Sequence, residues 1–388
     1  MKKKILFIIP GLEHGGTNKA LENILLKVNQ QEYDISIYCL KYNIQSPYYK
    51  IFKTKLIENK GIRLNLLNKY GNLQGYTKLV IFLVSIFRRA SKWINWDFEN
   101  ILCKNIAQSL SSMKFNIAIA FQETTSTKLG SHIIADKKIA WIHCNYERIN
   151  KQNRTDKAYQ EFDKIICVSN YTKNVFCNIV PCCRQKAETI YNIIDDENII
   201  NLSQQPIDDY TFDENIFYIV SVGRIDPVKR FTEIPGIAAE LYYQKKMSSI
   251  KWIIIGNYNS NEGEILRKNI KKYNIEHIID LLGPKQNPYK YMAKCQLYVC
   301  LSISEACPFV INESKILHIP VITTDFPSAY EFISNNINGR ICRFEDIPPN
   351  IATLINSKNE YCKILENIKE YTYNNNIIEN KLLELLNL

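Results

Sequence analysis

Twice along this chain a short apolar run ends at a glycine and gives way to a polar loop and then to a helix-like pattern. The first run is residues 4–10. Gly11, Gly15 and Gly16 follow, and then residues 18–28, where Ala20, Leu21, Ile24, Leu25 and Val28 fall at helical spacing. Residues 34–40 read as the next strand. The second run is residues 217–222, ended by Gly223, with further runs at 251–256, 278–283, 296–301 and 321–323. Runs this short and this apolar are buried on both faces, so they predict parallel strands covered by helices rather than half-exposed hairpins. Strand, loop, helix, strand is the opening of a doubly wound α/β domain. A length of 388 residues has room for two such domains, each with a full core.

Residues 116–121, 138–142 and 164–168 complete the first rhythm. The loops after them carry Gln122 and Glu123, then His143, then Ser169 and Asn170. In an open parallel sheet the loops at the carboxyl ends of the strands form the ligand crevice. His143 there is either a ligand-facing group or a structural one. The polar stretch 196–212, with Ser203, Gln204, Gln205, Pro206, Asp208 and Asp209, is the expected linker. The expected organisation is therefore a first domain over 1–195, a second over 213–360, and a helical Asn/Lys-rich tail over 361–388.

Lys and Arg total 49 against 39 Asp and Glu, a net charge of +10. That balance favours anionic partners. The basic residues form no cluster interleaved with aromatics, so a nucleic-acid reader is not expected. The opening apolar run is too short for a signal peptide and no small-residue cleavage site follows it, which points to a cytoplasmic protein. Twelve cysteines without a CxxC pair read as reduced thiols filling the core, with no metal site. No stretch has eighteen apolar residues, so no membrane-spanning helix is expected. Residues 76–96, apolar and then basic with Trp93 and Trp96, read either as a segment lying on an anionic membrane or as a buried helix with a solvated end.

The chemistry concentrates in residues 302–313, SISEACPFVINE. Glu305 and Glu313 stand eight residues apart across an expected loop-to-helix junction, and Pro308 suits a first helical turn. A helix start offers main-chain N–H groups and a partial positive charge to an anion. Two carboxylates beside an anion fit a ligand that carries both charge and hydroxyls; solvated carboxylates are the alternative. Arg224 and Lys229, in VGRIDPVK at the end of another strand, can hold a diphosphate. Ribose, diphosphate and sugar in sequence is the layout of a nucleotide-sugar.

Five pieces in order, over residues 4–343, resemble a known family: GLEHGG, WIHCN, FDKIICVSNYTK, TIYNIID, and VGRIDPVKRF leading to SEACPFVINE. The chain resembles the retaining GT-B glycosyltransferases of the family 4 (group 1) type that build bacterial surface polysaccharides, capsule and lipopolysaccharide among them. The resemblance implies two Rossmann-like domains with a cleft between them and a C-terminal helix crossing back to the first. It implies transfer of a hexose from a nucleotide-sugar, with a UDP-sugar preferred, to a polysaccharide or glycolipid at the cytoplasmic membrane face. It implies retention of anomeric configuration without metal or other cofactor. Glu305 would bond the donor sugar, helped by the main chain of Ala306, Cys307, Pro308, Phe309 and Val310, and Glu313 would hold the ribose. Arg224 and Lys229 would bind the diphosphate, and Gly15 and Gly16 would let the first loop approach donor or acceptor. His143 would line the sugar pocket, while Pro284 and Lys285 would edge the base. A nucleotide-sugar epimerase, a phosphorylase or a non-catalytic binding protein on the same fold are the other outcomes. Ala306, His318 and the glycine-free PSAYE, residues 327–331, depart from the family pattern.

Overall fold

The computed structural model describes residues 2–13, 15–41, 43–57 and 98–387. Residues 76–96, with their two readings, lie outside that set. The chain divides into two compact units, residues 1–193 with 376–388, and residues 194–375.

Among the described residues the first unit holds a six-stranded sheet: β1 (Lys3–Ile9), β2 (Tyr33–Cys39), β3 (Phe115–Ala120), β4 (Ala135–Ile142), β5 (Lys164–Cys167) and β6 (Ala187–Thr189). Its order is β2-β1-β3-β4-β5-β6, every pair parallel. Leu6, Ile8 and Ala118 meet Cys103, Ile106 and Ala107 of helix Phe98–Leu110 on one side of the sheet. Further along, Tyr146, Tyr159 and Phe176 pack edge to face around Ile142, Ile165 and Cys167. Buried parallel strands need cover on both faces, which is why their sequences are near-continuous Ile, Val, Phe and Ala.

The second unit has β7 (Phe217–Val222), β8 (Ile250–Ile255), β9 (Ile279–Gly283), β10 (Leu297–Cys300), β11 (Val321–Thr324) and β12 (Arg340–Cys342). Their order is β12-β11-β10-β7-β8-β9, again all parallel. Read from β9, that is the 3-2-1-4-5-6 order of a Rossmann sheet, whose direction of winding reverses between β7 and β10.

The domain boundaries differ from expectation. Residues 196–203 of the expected linker form helix Asp196–Ser203, started by Asp195, whose side chain accepts the N–H of Asn198. The polar residues 203–209, at and beyond its end, made the whole stretch read as loop. In the expected tail, helix Lys358–Lys369 belongs to the second unit, because Ile364 and Ile368 are one helical turn apart and both enter that core. Residues 376–388 cluster with the first unit, where Ile378, Leu382, Leu385 and Leu386 are buried. Within the second unit its first and last residues are tied together: Asn375 accepts the N–H of Ile194 (3.1 Å) and donates to its carbonyl (2.6 Å).

Among the described residues no helix is long and apolar enough to cross a membrane.

Candidate active site

The winding of the second sheet reverses between β7 and β10, so the loops that leave the carboxyl ends of these strands frame a crevice. They are stitched together there. Ile303 N–H donates to Val228 O (2.8 Å), Thr324 Oγ1 donates to Ser302 O (2.5 Å) and Ser328 Oγ donates to Glu305 O (2.7 Å). Loops from β7, β10 and β11 thus fix one short segment, residues 302–305.

Glu305 is held at that point. Its Oε1 accepts Ser302 Oγ (2.6 Å) and forms an ion pair with Lys229 Nζ. The Glu305 side chain is 13% exposed and that of Lys229 26%, so the pair is largely withdrawn from water. Burial pulls the Lys229 ammonium down, but the facing Glu305 and Cys300 push it up, and it ends above the ordinary lysine range. The turn presenting Lys229 is shaped by Asp226, whose Oδ1 accepts the N–H groups of Val228 (3.0 Å) and Lys229 (3.1 Å). Arg224 is 70% exposed and makes one long contact to Asp226, 3.4 Å. The two cations expected to share one ligand therefore differ: Lys229 is committed to Glu305, while Arg224 projects into solvent.

Helix Phe309–Ile316 starts at Pro308, which ends the loop through Ala306 and Cys307. Among the described residues no side chain caps it, so the first-turn N–H groups of Phe309 and Val310 have no side-chain acceptor there. Glu313 lies in the next turn, 7% exposed, and accepts Tyr289 OH (2.9 Å). His318, just past the helix end, takes a left-handed φ of 57°, the backbone that favours glycine there. Its Nδ1 meets Ile368 O at 3.1 Å, a local partner for a residue in that strained position.

Lys315, on the same helix, is buried; its Nζ bonds Phe332 O and lies 4.1 Å from the Tyr371 ring centroid. Burial pulls its pKa from 10.5 to about 8. The unfolded chain therefore holds this proton more tightly than the native protein. The cost, on the order of 3 kcal/mol, is fully present below pH 8 and vanishes as pH rises toward 10.5. The melting temperature of Lys315→Met relative to the parent is expected to fall as pH goes from 7 to 10. A pH-independent difference would contradict a charged, buried Lys315.

Pro284 and Lys285 follow β9. Lys285 pairs with Asp209 (2.5 Å) and lies over the Tyr291 ring, 5.2 Å from its centroid. Hydrogen bonds from Lys285 and Tyr291 hold the Asp209 carboxyl down at about 2.

Gly15, Gly16 and His143 belong to the first unit. Helix Gly16–Lys27 begins at Gly15, whose φ of 170° is ordinary extended backbone. A Cβ placed on Gly15 would meet nothing within 4 Å, so neither conformation nor packing demands glycine at that position. Buried Asn18 donates to Gly11 O (3.0 Å) and Glu13 O (2.7 Å) and folds the loop over the helix start. His143 follows β4 and packs on Phe121 (ring centroids 4.6 Å apart) and Trp141 (6.2 Å, nearly parallel). Burial drives its imidazole to about 3, so it is neutral. Its Nε2 is buried and has no hydrogen-bond partner among the described residues.

Sequence reasoning missed Ser302, Asp226, Ser328 and Tyr289, which hold Glu305, Lys229 and Glu313. Their local signals are those of any polar loop. Glu123 was visible only as a member of such a loop.

Two doubly wound parallel sheets define the GT-B class of fold. Consistent with this, the Anabaena Alr3699/HepE structure in complex with UDP-glucose superposes with a TM-score of 0.70 at 15% identity, covering 99% of each chain. Residues 204–375, which hold the Lys229–Glu305 pair and the helix after it, match the family model described as Glycosyl transferases group 1. Most of the second unit is thus similar to the domain that this model describes. A Campylobacter jejuni protein named N-acetylgalactosamine-N,N'-diacetylbacillosaminyl-diphospho-undecaprenol 4-alpha-N-acetylgalactosaminyltransferase is 35% identical over 144 residues, 37% of this chain and 36% of that one. The amylovoran biosynthesis glycosyltransferase AmsD of Erwinia amylovora is 22% identical over 327 residues, 83% of this chain and 81% of that one. The match to the Campylobacter protein thus spans just over a third of its length.

Proposed function

We propose that this protein transfers a hexose from a nucleotide-sugar, with UDP-sugars preferred, to a glycolipid or polysaccharide acceptor, with retention and without a metal. The observation that carries the reading is the shielded Lys229–Glu305 pair at the sheet's switch point, in the same crevice as an uncapped helix start.

The reaction breaks the bond between the anomeric carbon and the diphosphate oxygen, and the bonding electrons leave with the diphosphate. Positive groups fixed beforehand near that oxygen stabilise the developing charge. Lys229 has three N–H donors, of which Glu305 takes one, so the others are available to phosphate. Arg224 adds a planar fork from the same loop. The free N–H groups of Phe309 and Val310 supply a partial positive charge without a metal ion. Glu305 then accepts sugar hydroxyls, and Glu313, already oriented by Tyr289, serves the ribose. His143 and Gly15, in the first unit, serve the sugar and the close approach of the loop. The acceptor hydroxyl attacks the face that the diphosphate leaves, and its proton passes to the departing oxygen.

The preference for UDP is supported by the Anabaena protein, which was crystallised with UDP-glucose. The glycolipid acceptor is supported by the Campylobacter name, which specifies a diphospho-undecaprenol. We infer that the transfer takes place at the cytoplasmic face of the membrane, where such a lipid-borne acceptor would be met. A thermal-shift panel of UDP-, GDP- and ADP-sugars tests the donor. A UDP-sugar at a hundred times its Kd is expected to stabilise by about 2.7 kcal/mol, a rise of a few degrees. No shift with any member would overturn the reading.

A further inference from the structure

Glu123 lies in the loop after β3 and is only 3% exposed. Its Oε1 accepts the main-chain N–H of His143 and that of Cys144 (2.8 Å). These two residues open the loop after the neighbouring strand β4. A carboxylate at such a site is expensive to bury unless it is hydrogen-bonded. Burial does push its pKa up, while the N–H groups of Glu123 itself, Cys144 and His143 pull the other way. The titratable groups that feel its charge are Cys144, Tyr159 and Cys167, from the β4 loop, the helical turn at 156–161 and β5. The arrangement fixes two successive peptide groups of the loop that carries the imidazole. Further ring contacts with Phe121 and Trp141 then set its plane.

We propose that Glu123 is a positioning residue for His143: its buried carboxylate clamps the main chain at 143–144 and so fixes the direction of the imidazole. The inference rests on the reading of His143 as a group that meets the donor sugar. A neutral imidazole whose Nε2 lacks a partner among the described residues can donate or accept one hydrogen bond, as its tautomer dictates. Such a group is useful only if its direction is fixed, because a hydrogen bond weakens steeply with misalignment. Glu123 itself needs no contact with the sugar.

A double-mutant cycle decides the matter. Glu123→Ala and His143→Ala are each expected to lower the turnover of a UDP-sugar by tenfold to a hundredfold, mainly in kcat. The double variant should be no slower than His143→Ala alone, because Glu123 acts only through the imidazole. Losses that multiply would overturn the proposal. Glu123→Gln retains an acceptor oxygen of the same reach and should recover most of the rate; a Gln variant as slow as the Ala variant would also overturn it. A second readout is independent of turnover. In NMR titrations of the imidazoles, His143 of the parent should stay neutral between pH 5 and 8. In Glu123→Asp, which pulls the acceptor back by one methylene, the loosened ring should titrate toward the ordinary value. An unchanged, silent His143 in that variant would refute positioning by Glu123. If no nucleotide-sugar were turned over, the functional reading would fail while this titration still decided the role of Glu123.

Discussion

Glu305→Gln is expected to slow release of the nucleoside diphosphate from the donor by about 10²–10³-fold, the loss typical of removing one preorganised electrostatic group. The substitution keeps the shape of the side chain. Its amide oxygen can still accept Ser302 Oγ and Lys229 Nζ, so segment 302–305 should keep its hydrogen bonds to Val228, Thr324 and Ser328. The melting temperature should therefore fall by only a few degrees. What disappears is the negative charge that balances Lys229 in a partly dehydrated crevice, together with the oxygen that accepts sugar hydroxyls. An interaction made chiefly in the transition state shows as a fall in kcat with little change in KM. Activity within tenfold of the parent would remove Glu305 from the site. Lys229→Met should be at least as damaging, since it leaves a shielded carboxylate without its cation.

Gly256→Ala is expected to destabilise the second unit by about 3 kcal/mol or more, the upper end for overpacking a closed site. Gly256 stands just past β8, where its N–H donates to Gly283 O at 3.1 Å. A Cβ there would lie 2.1 Å from the carbonyl oxygen of Gly223, just past β7. That oxygen belongs to the main chain and cannot rotate aside. The ends of β7 and β8 would have to part, and with them the Gly223 N–H bond to Ile255 O (3.0 Å). The loop that starts at Gly223 carries Arg224, Asp226 and Lys229, so activity should fall together with stability. An unfolding midpoint equal to the parent's, by heat or denaturant, would refute so close an approach.

The sheets were legible where strands are continuous apolar runs closed by glycine. Residues 217–222 were read to the residue, because Gly223 closes a run whose one hydroxyl, Ser221, is itself buried in the sheet. β6 and β12 were not legible. Each is three residues long, and Ala187-Glu188-Thr189 has no apolar run to mark it. The glutamates and cations of the site could be read as residue types at strand ends, with the helix start after Pro308. The partnership of Lys229 with Glu305 could not, because 76 residues separate them and only the β7–β10 pairing brings their loops together. Glu123 shows the same gap: a carboxylate in a polar loop looks solvated until β4 is laid beside β3 and buries it.

The first unit is assembled from both ends of the chain, with the whole of residues 194–375 set between its two parts. On the ribosome this has a definite consequence. The second unit is contiguous and can finish folding as soon as residue 375 has emerged. The first unit, although most of it is made earlier, must wait for Ile378, Leu382, Leu385 and Leu386, which follow that whole stretch and are buried in the finished protein. Its earlier segments therefore spend the synthesis of 182 intervening residues with apolar surface uncovered. Domains usually mature in the order in which they are translated; here the order of completion runs the other way.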